Sequence, residues 1–181
     1  MQEFKAVYNE RSIIVPTQGE ADSLQQDGYG YRKQKGQIKL DHCEALYLLE
    51  KERLTIIDEA ERRLLSFQEV LNRGLVVDPL LWAKYIIYRD IRGRGFVVKS
   101  NNDTSFLVYE RGTYLKKPPS YEIYNIYEGT TESIGHLEEM LLKTKVSGRF
   151  LKLAVIDRRG EVVYYSLEKL SLGKPGTDIL E

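Results

Sequence analysis

Apolar positions along this chain come in short runs that repeat either every second residue or every third to fourth, which predicts alternating strands and helices. The strongest stretch is Leu151–Leu167. Leu151, Leu153, Ala154, Val155 and Ile156 form a nearly continuous apolar run, as in a strand covered on both faces. Arg158-Arg159-Gly160 breaks the run, and Val162-Val163-Tyr164-Tyr165 returns it, which predicts an antiparallel hairpin at the centre of a domain.

Phe4–Val7 and Ser12–Val15 predict a smaller hairpin around Asn9-Glu10-Arg11, ended by Pro16. Glu20–Gln37 is polar and contains glycines, with Tyr29 and Tyr31 interleaved with Arg32, Lys33 and Lys35. That pattern suits a solvated loop; aromatic and basic residues so mixed can also contact RNA. Asp41 followed by Glu44 has capping-box spacing and predicts a helix from about His42 to Lys51, with Cys43 in the core and His42 at the surface. Thr55–Ile57 predicts a strand, and Ser66 with Glu69 opens a second capped helix over Leu65–Asn72 that Gly74 ends. Val76–Pro79 marks a boundary, with Asp78 and Pro79 opening a helix to about Arg92. Phe96–Val98, Phe106–Tyr109 and Tyr121–Tyr127 predict strands, and Thr131 caps a helix to about Lys145 with Ile134, Leu137 and Leu141 on one face. The fold class is α+β: a small N-terminal α/β domain (1–77), a C-terminal mixed β-sheet domain flanked by helices (78–173) and a loose tail (174–181).

Composition narrows the function. Lysine plus arginine equals aspartate plus glutamate at 27 each, so any nucleic-acid site has to be a local patch. A single cysteine, Cys43, excludes an intrachain disulfide and a thiolate metal cluster. The charged start MQEFKAVYNER and the lack of a long apolar run predict a cytoplasmic protein away from the membrane. No phosphate loop, His-x-x-x-His pair or nucleophile elbow is present. The two histidines, His42 and His136, fall on different predicted helices, and consecutive helix positions such as His42, Cys43 and Glu44 cannot converge on one ion. Neither metal nor cofactor is expected.

Leu80–Leu167 resembles the C-terminal, nuclease-like domain of the archaeal tRNA-splicing endonucleases, through YIIYRDIRGRGFVVKS, SFLVYERG and LKLAVIDRRGEVVYY. DHCEALYLLEKERLTIID followed by LSFQEVL is similar to that family's small N-terminal domain. The resemblance implies an active site of tyrosine, histidine and lysine that cuts RNA without metal: the ribose 2′-hydroxyl attacks, the lysine stabilises the negative transition state, and a 2′,3′-cyclic phosphate is left. Tyr109 matches the tyrosine. Pro118-Pro119-Ser120-Tyr121 stands where the histidine should, and Arg149, flanked by Lys145 and Lys152, is the cation in the lysine's window. Arginine holds its charge in a different geometry, and a tyrosine with an ordinary pKa of about 10 is a poor general base.

The pattern is similar to that of the non-catalytic subunit of a two-plus-two heterotetramer, which implies a catalytic paralogue and precursor tRNA as partners. The resemblance places the subunit interface at the loop Asp157-Arg158-Arg159-Gly160-Glu161 and the strand bearing Val163, Tyr165 and Leu167. Lys116, Lys117 and Arg149 are the candidate RNA contacts. The alternative is an active RNA endonuclease using Tyr109 with other partners. A metal-dependent nuclease would need carboxylates on the central strands, and Phe96–Lys99 has none.

Overall fold

The computed structural model describes residues 3–33, 36–102 and 104–168. Lys35, the end of the second domain beyond residue 168 and the tail 174–181 lie outside the described residues.

Phe4–Val15 folds as the predicted hairpin: β1 (Phe4–Asn9) runs antiparallel to β2 (Ser12–Val15), with Val7 opposite Ile14 and Glu10 in the left-handed region at φ 49°. With β3 (Tyr31–Arg32), β4 (Ile38–Leu40) and β5 (Leu54–Asp58) these strands make a five-stranded sheet of order β3-β4-β2-β1-β5, in which β5 lies parallel to β1. Both capping boxes form as the spacing predicts. Asp41 and Glu44 open α2 (His42–Glu50), and Ser66 and Glu69 open α3 (Phe67–Val77).

Three expectations for this half are corrected. The stretch Glu20–Gln37 holds α1 (Gln18–Gln26) and β3, and Tyr29 is buried. Ala21 and Leu24 bury one short stripe, too brief for periodicity to reveal. Gly74 lies inside α3 and does not end it; a Cβ there would sit 2.3 Å from Leu81 Cδ2 and 2.9 Å from the His42 ring, so glycine admits the neighbouring helix. His42 is half-buried, with the Tyr8 hydroxyl 3.2 Å from its Nε2.

The second half contains α4 (Leu81–Gly93), β6 (Val97–Ser100), β7 (Ser105–Tyr109), β8 (Tyr121–Tyr127), α5 (Ile134–Val146), β9 (Phe150–Ile156) and β10 (Val162–Leu167). Its sheet has the order β10-β9-β8-β7-β6, antiparallel except for β8 beside β9. A parallel pair needs a crossover, and α5 supplies it. The hairpin of β9 and β10 therefore forms one edge of the sheet, and β8 is its middle strand, contrary to the central place its apolar run suggested. Ser133, not Thr131, caps α5, accepting from His136 N at 3.1 Å.

One continuous core runs from Phe4 to Ile156 through both sheets, and Tyr124, Leu141, Leu151 and Leu153 form a second cluster beneath α5. No helix among the described residues is long and apolar enough to cross a membrane.

Candidate functional site

The backbone of Ser120, just before β8, ties three strands together. Its N–H donates to Val108 O at 3.0 Å, and its carbonyl accepts from Phe150 N at 2.9 Å. The register aligns Val108, Tyr121 and Phe150 across β7, β8 and β9. One residue further out, Tyr109, Ser120 and Arg149 form the next row at that end of the sheet, and strand alternation turns them to the opposite face. The three stretches that the resemblance assigns to tyrosine, histidine and lysine are thus brought side by side.

What occupies the row differs from a working triad. The Tyr109 ring meets Tyr114 edge-on, with centroids 5.0 Å apart. Ser120 follows two prolines and has only a hydroxyl to offer. Arg149 is held by Glu122 of β8, whose Oε2 accepts from Nη2 at 2.9 Å and Nε at 3.3 Å; both side chains are largely buried. The one cation in the row is therefore engaged by an internal carboxylate. His42 is in the other half of the chain, and His136 on α5 pairs through Nδ1 with Glu132 at 3.0 Å. His136 shares a small cleft with Glu122, Lys143 and Thr144.

Lys116 and Lys117 are exposed on the turn between β7 and β8, where both amides donate to Thr113 O at 2.9 Å. The hairpin loop is built by Asp157, whose Oδ1 accepts from the amides of Arg159 and Glu161 at 2.9 Å, and by Gly160 at φ +83°. Arg158 donates its amide to Glu128 and extends its side chain into solvent. On β10 the Tyr164 hydroxyl donates to Asp90 at 2.7 Å, Leu167 packs toward the cluster under α5, and Val163 and Tyr165 are 51% and 55% exposed along the sheet edge. Among the described residues no group of three or more His, Cys, Asp or Glu is placed to hold a metal.

Sequence reasoning missed Glu122 and Tyr114. Period-two alternation in Tyr121–Tyr127 puts Glu122 and Tyr124 on one face, but which cation would meet Glu122 depends on the parallel neighbour 27 residues on. It also missed how Tyr29, Tyr31 and Lys99 are used. Lys99 Nζ, buried, donates to Glu44 Oε1 and to Gly30 O, each at 2.8 Å, while Glu44 Oε2 accepts from Gly30 N at 3.0 Å. Arg92 stacks 3.9 Å over the Tyr29 ring, and the Tyr31 hydroxyl donates to Ser100 O at 2.7 Å. The tyrosine-rich stretch seals the two halves of the chain.

Two sheets sharing one core, with an ordered, half-buried row of side chains at the end of the second, define a two-domain α+β protein. Residues 4–71 match the family model for the tRNA intron endonuclease N-terminal domain, and residues 81–164 match that for the tRNA intron endonuclease catalytic C-terminal domain. A tRNA-splicing endonuclease of Pyrococcus furiosus is 33% identical over 143 residues, 78% of this chain and 81% of the relative. One from Methanococcus vannielii is 28% identical over 91% of this chain and 92% of the relative, and one from Thermococcus kodakarensis is 28% identical over 86% and 92%. The chain belongs to the tRNA intron endonuclease family.

Proposed function

We propose that this chain is the non-catalytic, structural subunit of a cytoplasmic tRNA-splicing endonuclease, assembling two-plus-two with a catalytic paralogue and helping to hold intron-containing precursor tRNA. The observation that carries this is the composition of the row Tyr109, Ser120 and Arg149. The positions survive, but the proton donor is absent and the cation is bound to Glu122. Stabilising an oxyanion needs donors aimed at the developing charge, and a guanidinium already held by a carboxylate brings little net charge to it. The subunit interface is assigned to the loop 157–161 and to the outer edge of β10, whose backbone pairs with no further strand among the described residues and whose exposed Val163 and Tyr165 suit a partner strand. Lys116 and Lys117 are assigned to phosphate contacts, and Arg149, held by Glu122 through Nε and Nη2, to a weaker one through Nη1.

The test is co-expression with a paralogue carrying tyrosine, histidine and lysine together, followed by sizing and cleavage of precursor tRNA in chelator. Cleavage is expected only from the mixed complex, and it persists when this chain carries Tyr109→Phe. A second reading has this chain cutting RNA itself, with His136, which lines a cleft with Glu122, as the missing acid. On that reading the pure chain cleaves, and either Tyr109→Phe or His136→Ala abolishes cleavage.

A further inference from the structure

We propose that the cleft at the open end of β9, with Tyr121, Phe150 and Lys152 on one side and Lys145, Gly148 and Arg149 on the other, binds a nucleotide of single-stranded RNA. The inference rests on the RNA-holding role proposed above and gives that role a place. The cleft has a volume of about 660 Å³. Phe150 opens a strand whose next residue, Leu151, is buried, yet its own side chain is 67% exposed. Its ring lies 6.1 Å from that of Tyr121, tilted by 40°, so the pair forms an aromatic wall with an accessible face. Every nucleobase has a π-face, and stacking on such a wall is tolerant of sequence.

Charge around the wall suits the phosphate that accompanies a base. Lys152 sits 5.3 Å from the Tyr121 ring centroid and donates to Ser166 Oγ at 3.2 Å, which holds the ammonium at the cleft. Lys145 lies in the last turn of α5 and makes no ion pair among the described residues. Glu122 accepts from Nε and Nη2 of Arg149, and Nη1 makes no hydrogen bond among the described residues. Glu122 neutralises most of the Arg149 charge, so the cleft's cationic character comes from Lys145 and Lys152, which face one lining carboxylate, Glu168. An aromatic wall ringed by cations favours an extended nucleic-acid strand over an apolar protein segment, because each cation would otherwise lose hydration without a counter-charge.

The experiment is fluorescence anisotropy of the full chain, alone and in its co-purified complex, with a labelled oligouridylate as probe. Phe150→Ala is expected to weaken binding between about 5-fold and about 150-fold, the range for one lost base stack. Phe150→Trp is expected to keep it, and Lys152→Ala to lower the salt dependence by about one released counterion. Unchanged urea midpoints confirm that the variants are folded. The proposal is overturned if the wild-type chain does not bind the probe in either form, or if Phe150→Ala binds as wild type does. It is also overturned if Phe150→Ala disrupts the complex while the affinity for the probe stays the same, because Phe150 is then a protein contact. Failure of the subunit role is read separately, from co-purification and precursor cleavage.

Discussion

His42 stands where α2 begins, half-buried beneath Tyr8 and close to Gly74 of the neighbouring helix. Burial holds its imidazole below the ordinary value of 6.5; nearby Asp41 pulls the other way and Lys39 adds to the depression. The folded protein therefore takes up this proton less readily than the unfolded chain. Stability from this group is fully present above pH 6.5 and is lost as the pH falls through the lower, folded-state value. An NMR titration is expected to place His42 below 6.5, and urea midpoints measured from pH 7.5 downward should drop less for His42→Gln than for the wild type. Equal slopes for both would remove His42 from the acid response. His42 was expected at the surface because capping-box spacing fixes where α2 begins and says nothing of what packs against its first turn.

Between α3 and α4 the decisive feature is a missing side chain. Gly74 costs helix propensity, roughly 1 kcal/mol relative to alanine, yet it sits in the third turn of α3 with Leu81 and the His42 ring against it. In Gly74→Ala the gain in propensity meets an overpacking cost of about 1–3 kcal/mol. The substitution is expected to lower the melting temperature, and a rise would mean that Leu81 swings aside freely. As a letter in the sequence this glycine reads as a helix end. Both capping boxes, by contrast, are legible because each satisfies its amides within four residues of chain. The β9–β10 hairpin is legible for the same reason, although its place at the sheet edge is not.

The two halves meet at Lys99, Glu44 and Gly30. Burial pushes the Glu44 carboxyl up, and the Lys99 ammonium offsets only part of that push. Lys99→Met leaves a buried carboxylate without its counter-charge, a loss of about 3–5 kcal/mol. A urea titration reads this loss; a change under about 1 kcal/mol would mean that the Gly30 and Asp41 amides alone satisfy Glu44. Because one core runs through both sheets, unfolding is expected as a single transition in the wild type. The same continuity explains why Tyr29 and Tyr31, which read as part of a solvated loop, serve as an interdomain seal.

Local order along the chain was enough to indicate the α+β class, the two capping boxes and both hairpins, because each depends on residues near one another. The assignment of Tyr109 and of the position without a histidine is instead what the family resemblance implies. Long-range pairing settled the rest. Glu122 meets Arg149, Lys99 meets Glu44, and Tyr109, Ser120 and Arg149 share a row only because β8 runs parallel to β9 and α4 draws the two sheets together. Residues 27 and 55 positions apart carry no local signal of their contact, and it is folding that makes them neighbours.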